Sequence, residues 1–233
     1  MNNIKRIIYG LGITSVIFFT ARIISKNMPL NSKLVPDTFI SLTIILLLST
    51  MAIYIMRQSM TYSISLPKLK TLIKPMLVAL GATILINVLM TIITKLSGGK
   101  DELHPAFLKL NWIQIFIFVF VYASIVEEIL FRGFLMNYLN PLKPFGVKLF
   151  KRKISLPVII SALAFGSAHL TLISTGVDSL FVFRIVLFAT CLGIIAGYYQ
   201  EKYDNNAYAI AVHMSGNSIA VLGTFLIAKG LHK

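Results

Sequence analysis

Apolar runs of 18 or more residues recur along the whole chain, separated by short basic segments. Runs of that length match the hydrocarbon thickness of a bilayer at 1.5 Å of rise per helical residue. They predict spans at roughly 7–24, 38–56, 75–96, 111–139, 157–173, 180–200 and 206–228. The expected fold is therefore all-α, a polytopic transmembrane helical bundle of about seven spans in one membrane domain covering residues 1–233. Lys5 and Arg6 precede the first run as they would in a signal peptide, but no convincing small-x-small cleavage site precedes Lys26, so the run is read as a retained helix. No internal repeat, low-complexity tract or soluble domain is evident.

Composition supports the same picture. The chain is 57% hydrophobic and 13% charged, where a soluble globule carries about a quarter charged residues. The net charge of +14 raises nucleic acid as a partner. The cations lie between apolar runs, as membrane flanks require, and form no single basic face, so nucleic acid is rejected. Arg57, Lys68, Lys70 and Lys74 follow span two, and Lys143, Lys148, Lys151, Arg152 and Lys153 follow span four. Both groups share a side with Lys5 and Arg6, which the positive-inside rule makes cytoplasmic, with Lys95, Lys100 and Lys109 opposite. Trp112 fits an interfacial anchor at the outer end of span four. Cys191 is the sole cysteine, so no internal disulfide forms. A composition rich in Asn, Ile and Lys hints at a prokaryotic cell membrane.

Against this background the stretch YASIVEEILFRGFL, residues 122–135, stands out. Of the eight acidic residues only Glu127 and Glu128 lie deep in a span; Asp37, Asp101, Glu102, Asp178, Glu201 and Asp204 fall in loops or at span ends. Of the four histidines, His169 and His213 lie inside spans, and His104 and His232 outside. Ionisable groups at such depth cost several kcal/mol and usually face a bundle interior or a wet cavity. Glu127 and His169 each lie about 18 Å from the cytoplasmic ends of their spans, and His213 about 12 Å inside its own. Three helices thus bring titratable groups to similar depth.

Residues four apart share a helix face. Glu128 and Arg132 are such a pair, with the acid N-terminal, so Arg132 can hold Glu128 ionised while Glu127, turned about 100° away, stays free. Phe165 can buttress His169, and His213 shares its face with Asn217. This set suits hydrolysis. A carboxylate shielded from bulk water can act as general base on water. A neutral imidazole can orient that water or bind Zn²⁺, and an amide N–H can hold an oxyanion. Ser167 and Ser215 lack a nucleophile elbow, Cys191 has no histidine in its own helix, and no H-E-x-x-H occurs.

At these residues the chain resembles the CAAX protease and bacteriocin-processing family, whose eukaryotic members are the type II CAAX prenyl endopeptidases. The E-E-x-x-x-R motif is Glu127, Glu128 and Arg132; F-x-x-x-H is Phe165 and His169; the late H-x-x-x-N is His213 and Asn217. The resemblance covers roughly 111–220 as a catalytic core, leaving 1–110 as N-terminal transmembrane helices, and Phe188, Gly193 and Gly197 look like the family's glycine-bearing helix. It implies a glutamate-dependent endopeptidase with Glu127 as water-activating base and His169, His213 and Asn217 completing the site; Glu128 is expected to be held by Arg132. The metal stays open: His169, His213 and Glu127 could bind Zn²⁺ with one open position, or the residues could work without it. The family often shows eight spans, against seven here.

The expected partners are the bilayer and a peptide or lipidated protein, such as a CAAX-like end or a pheromone or bacteriocin precursor. Two other classes compete. A proton- or ion-coupled transporter also uses intramembrane Glu and His, but no inverted repeat or pair of broken helices is visible. A non-catalytic immunity or scaffold protein could keep the fold. Arg184 reads as a snorkelling interface residue and Gly133 as a packing glycine.

Overall fold

A computed structural model of the chain describes residues 2–28, 30, 32, 34–99, 104–105, 109–149 and 151–230, without the side chains of 224 and 226–230. Lys100, Asp101, Glu102 and His232, assigned above to loops, lie outside the described residues. Among the described residues there are seven long helices: α1 Asn3–Lys26, α2 Thr38–Ile55, α3 Leu69–Leu96, α4 Trp112–Met136, α5 Leu156–Ala168, α6 Ser179–Tyr203 and α7 Asn206–Gly230. The first six, α5 together with the 3₁₀ turns His169–Thr175, are long and apolar enough to cross a membrane. These boundaries follow the hydropathy runs closely. The largest departure is α3, which starts at Leu69 and carries Pro75 inside it.

The helix starts have local causes. Asn2 caps α1 by accepting from Ile4 N–H, and Asn111 and Gln114 form a reciprocal capping box at the start of α4. Ser155 caps α5, with Pro157 in the first turn, and Asp178 caps α6.

The centre of the bundle is α4. Its first half packs on α2 and α7, and its second on α1, α2, α5 and α7. One apolar cluster joins α1, α2, α4 and α5 around Leu130, Phe134, Leu135 and Phe165. Another joins α3, α6 and α7 around Ala79, Leu192, Tyr199 and Val212. Outward side chains such as Leu77, Leu85 and Val88 remain more than half exposed, as a lipid-facing surface requires. Arg6 donates to the Tyr138 carbonyl at 2.7 Å and Asn140 to Thr61 Oγ1 at 3.4 Å. The start of α1, the α2–α3 segment and the end of α4 therefore lie on one side, the basic side, as the charge pattern predicts.

Two features were not legible in the hydropathy. Most of α4 is π-helical, over Ile115–Ala123 and Ile129–Met136, with an α-helical turn Ser124–Glu128 between. The basic segment after α4 folds into an antiparallel hairpin, β1 Gly146–Leu149 and β2 Arg152–Ser155.

Candidate active site

The α-helical turn inside α4 carries both glutamates, and the wider π-helical turn that follows carries Arg132. π-helical stretches inside helices are frequent at functional sites. Arg132 Nη1 donates to Glu128 Oε1 at 3.0 Å, with both side chains wholly buried. The same oxygen accepts from His213 Nδ1 of α7 at 2.9 Å. A carboxylate only accepts, so His213 donates through Nδ1, and its other ring nitrogen is Nε2. That nitrogen faces Glu127 Oε2 at 3.8 Å, too long for a direct hydrogen bond but a spacing a water can bridge. Glu127 is the exposed carboxylate of the two, at 28% against 0% for Glu128.

Phe165 is the hub. Its ring centre lies 5.1 Å from the His169 ring, edge-on at 87°, and 5.3 Å from the His213 ring. On the same ring the Arg132 guanidinium carbon stands 4.7 Å from the centroid. His169, at the C-terminal end of α5, is oriented by a 3.0 Å bond between Nδ1 and the Phe165 carbonyl, which leaves its Nε2 as an acceptor. Asn217 donates to Ser124 Oγ of α4 at 3.4 Å. The structure thus brings Glu127, Glu128, Arg132, Phe165, His169, His213 and Asn217 together from α4, α5 and α7.

Other residues support this set that sequence spacing did not flag. Asn206, fully buried at the start of α7, donates to the Glu128 carbonyl at 3.5 Å and to Tyr62 Oη at 3.3 Å. Burial raises the Tyr62 phenol above its ordinary value, an effect opposed by that bond. The Tyr62 ring also lies against Gly133, where a Cβ would meet it at 3.0 Å. Gln200 of α6 donates to the Arg132 carbonyl at 3.1 Å. At Gly193, also on α6, a Cβ would overlap Arg132 Nη2. The sequence signal available for these was polarity inside or beside an apolar span, at Gln200 and Asn206. His104, in the α3–α4 connection, has its ring centre 6.3 Å from that of Phe181 with the planes tilted by 55°, and burial followed by the nearness of His169 lowers it to about 4.

The donors do not converge as a metal site: among the described residues no three His, Cys, Asp or Glu side chains are arranged to hold an ion.

Long apolar helices around a buried Glu–His–Arg network define a multi-pass integral membrane protein with an intramembrane polar site. The family model for type II CAAX prenyl endopeptidase, Rce1-like proteins matches residues 109–219, and this part of the chain, which holds the whole site, belongs to that family. No curated protein and no solved structure matches the chain. By class it is a CAAX-type intramembrane endopeptidase, a hydrolase of peptide or protein substrates.

Proposed function

We propose that Glu127 is the general base of a glutamate-dependent peptidase. Water held between Glu127 Oε2 and His213 Nε2 loses its proton to the carboxylate and attacks the scissile carbonyl carbon. The carbonyl oxygen becomes an oxyanion, which the Asn217 side-chain N–H not given to Ser124 stabilises. The proton on Glu127 then passes to the leaving nitrogen as the C–N bond breaks, giving acid and amine and restoring the carboxylate. Glu128, clamped by Arg132, fixes the His213 tautomer, while Phe165 and its carbonyl set the plane of His169, whose Nε2 accepts from the substrate amide or the water. No step passes through a metal.

The observation that carries this reading is the split between adjacent glutamates: Glu128 is sealed in an ion pair, while Glu127 is part-exposed and 3.8 Å from His213 Nε2. The substrate is a membrane-presented peptide, either a CAAX-like lipidated end or a pheromone or bacteriocin precursor. The basic side faces the cytoplasm of a prokaryotic cell.

The test compares released and membrane-associated peptides by mass spectrometry in cells carrying wild type or Glu127→Gln at equal expression. A peptide cleaved only by wild type is expected, with the variant inserted and folded. Cleavage retained by Glu127→Gln would sink the role of the residue. No cleavage by either form would favour a scaffold or transporter.

A further inference from the structure

The reaction uses none of the segment joining α4 to α5, and that segment has an unmatched chemistry. Residues 143–153 carry Lys143, Lys148, Lys151, Arg152 and Lys153 and no acidic residue. The hairpin register pairs Val147 with Ile154, Lys148 with Lys153 and Leu149 with Arg152. Side chains of directly opposed residues share a face, and successive residues alternate. Lys148 and Lys153 therefore stand opposite one another on one face, and like charges so placed repel. Among the described residues neither is in an ion pair. Lys153 Nζ instead donates to the Pro144 carbonyl at 2.7 Å.

The other face is anchored at one end only. Ile154 is buried with Met136 and Val158, and the Arg152 guanidinium lies 5.3 Å from the Tyr198 ring centre. Beyond that anchor Phe145, Val147 and Leu149 are 52%, 59% and 57% exposed. An edge strand that shows both apolar side chains and uncompensated cations calls for a partner that is apolar and anionic together. The hairpin leaves the bundle where α4 ends at Met136 and α5 begins at Leu156, the level at which the apolar spans stop. An anionic lipid surface at that level has both properties. An acidic peptide would answer the lysines and leave the three apolar side chains in water.

We propose that hairpin 145–155 docks on the anionic headgroup layer of the bilayer that holds the bundle. Phe145, Val147 and Leu149 enter the acyl boundary, while Lys148, Lys151 and Lys153 engage lipid phosphates. Seating of the hairpin is continuous with the site. Ser155, the last residue of β2, donates to Glu201 at 2.6 Å and caps α5, the helix that carries Phe165 and His169.

The test uses the full chain in nanodiscs of phosphatidylcholine with phosphatidylglycerol. Trp112 is the only tryptophan, so Trp112→Phe with Leu149→Trp gives one reporter, and Val147→Trp in the same background gives a second should the first fail to fold. Brominated acyl chains should quench the reporter, with brominated phosphatidylglycerol preferred over brominated phosphatidylcholine. Each lysine near such a surface contributes about 1 kcal/mol, so Lys148→Gln with Lys153→Gln should lower that preference roughly thirty-fold. A reporter open to aqueous iodide and indifferent to brominated lipid would overturn the proposal. So would protection that appears only on adding poly-glutamate.

Discussion

At position 193 a side-chain methyl would overlap the Arg132 guanidinium, so the close approach of α6 to α4 depends on glycine there. Gly193→Ala should push Arg132 off Glu128 and cost about 1–3 kcal/mol, the usual range for overpacking. Arg132→Ala should cost more, about 3–5 kcal/mol, because it leaves a buried carboxylate without its cation. Thermal melts in detergent, read beside peptidase activity, check both; a Gly193→Ala protein with wild-type melting and activity would show that the helices shift without consequence. Glu127→Gln should abolish turnover with little change in melting, since that side chain is part-exposed and 3.8 Å from its neighbour. Since no three His, Cys, Asp or Glu side chains among the described residues are arranged to hold an ion, activity should survive a chelator. Loss of activity with chelator, restored by zinc, would show instead that the donors rearrange around an ion.

Helix ends and helix contacts set where these residues stand. Ser155 both caps α5 and bonds Glu201 on α6, so Ser155→Ala should lower stability by about 1 kcal/mol through the lost cap alone. A melt that does not move would show that the cap is redundant with Pro157. Arg184 shows how a contact between elements overrides a reading made on one helix. Instead of snorkelling to the interface it donates through Nε and Nη2 to Asn87 Oδ1 of α3, at 3.2 and 2.5 Å. Gly133 is a packing glycine as expected, but its neighbour is Tyr62 from the α2–α3 segment. The π-helical turns of α4 were equally hidden, because hydropathy reports which residues prefer lipid and not how the carbonyls are paired. The Glu128–Arg132 pair survives that widening.

For the molecule as a whole, His104 offers a titration outside the spans. Its ordinary value is 6.5 and the fold lowers it to about 4. The unfolded chain therefore binds this proton more readily, and the stability present above about 6.5 is lost as pH falls toward about 4. His104→Gln should flatten the melting profile across that window; parallel profiles would remove His104 from the acid response. The location of the spans, the side on which the basic loops gather and the i, i+4 pairs could all be read from the chain alone. Those properties are one-dimensional: hydropathy is local, and a helix fixes the geometry of residues four apart. The agreement in depth of Glu127, His169 and His213 was legible for the same reason. The sealing of Glu128 and the freedom of Glu127 follow from that same spacing; what only the tertiary structure decided is that His213 spends one nitrogen on Glu128. It also decided that Tyr62, Gly193, Gln200 and Asn206 brace the pair. Each of these depends on which faces of distant segments meet, and no spacing within one helix carries that information.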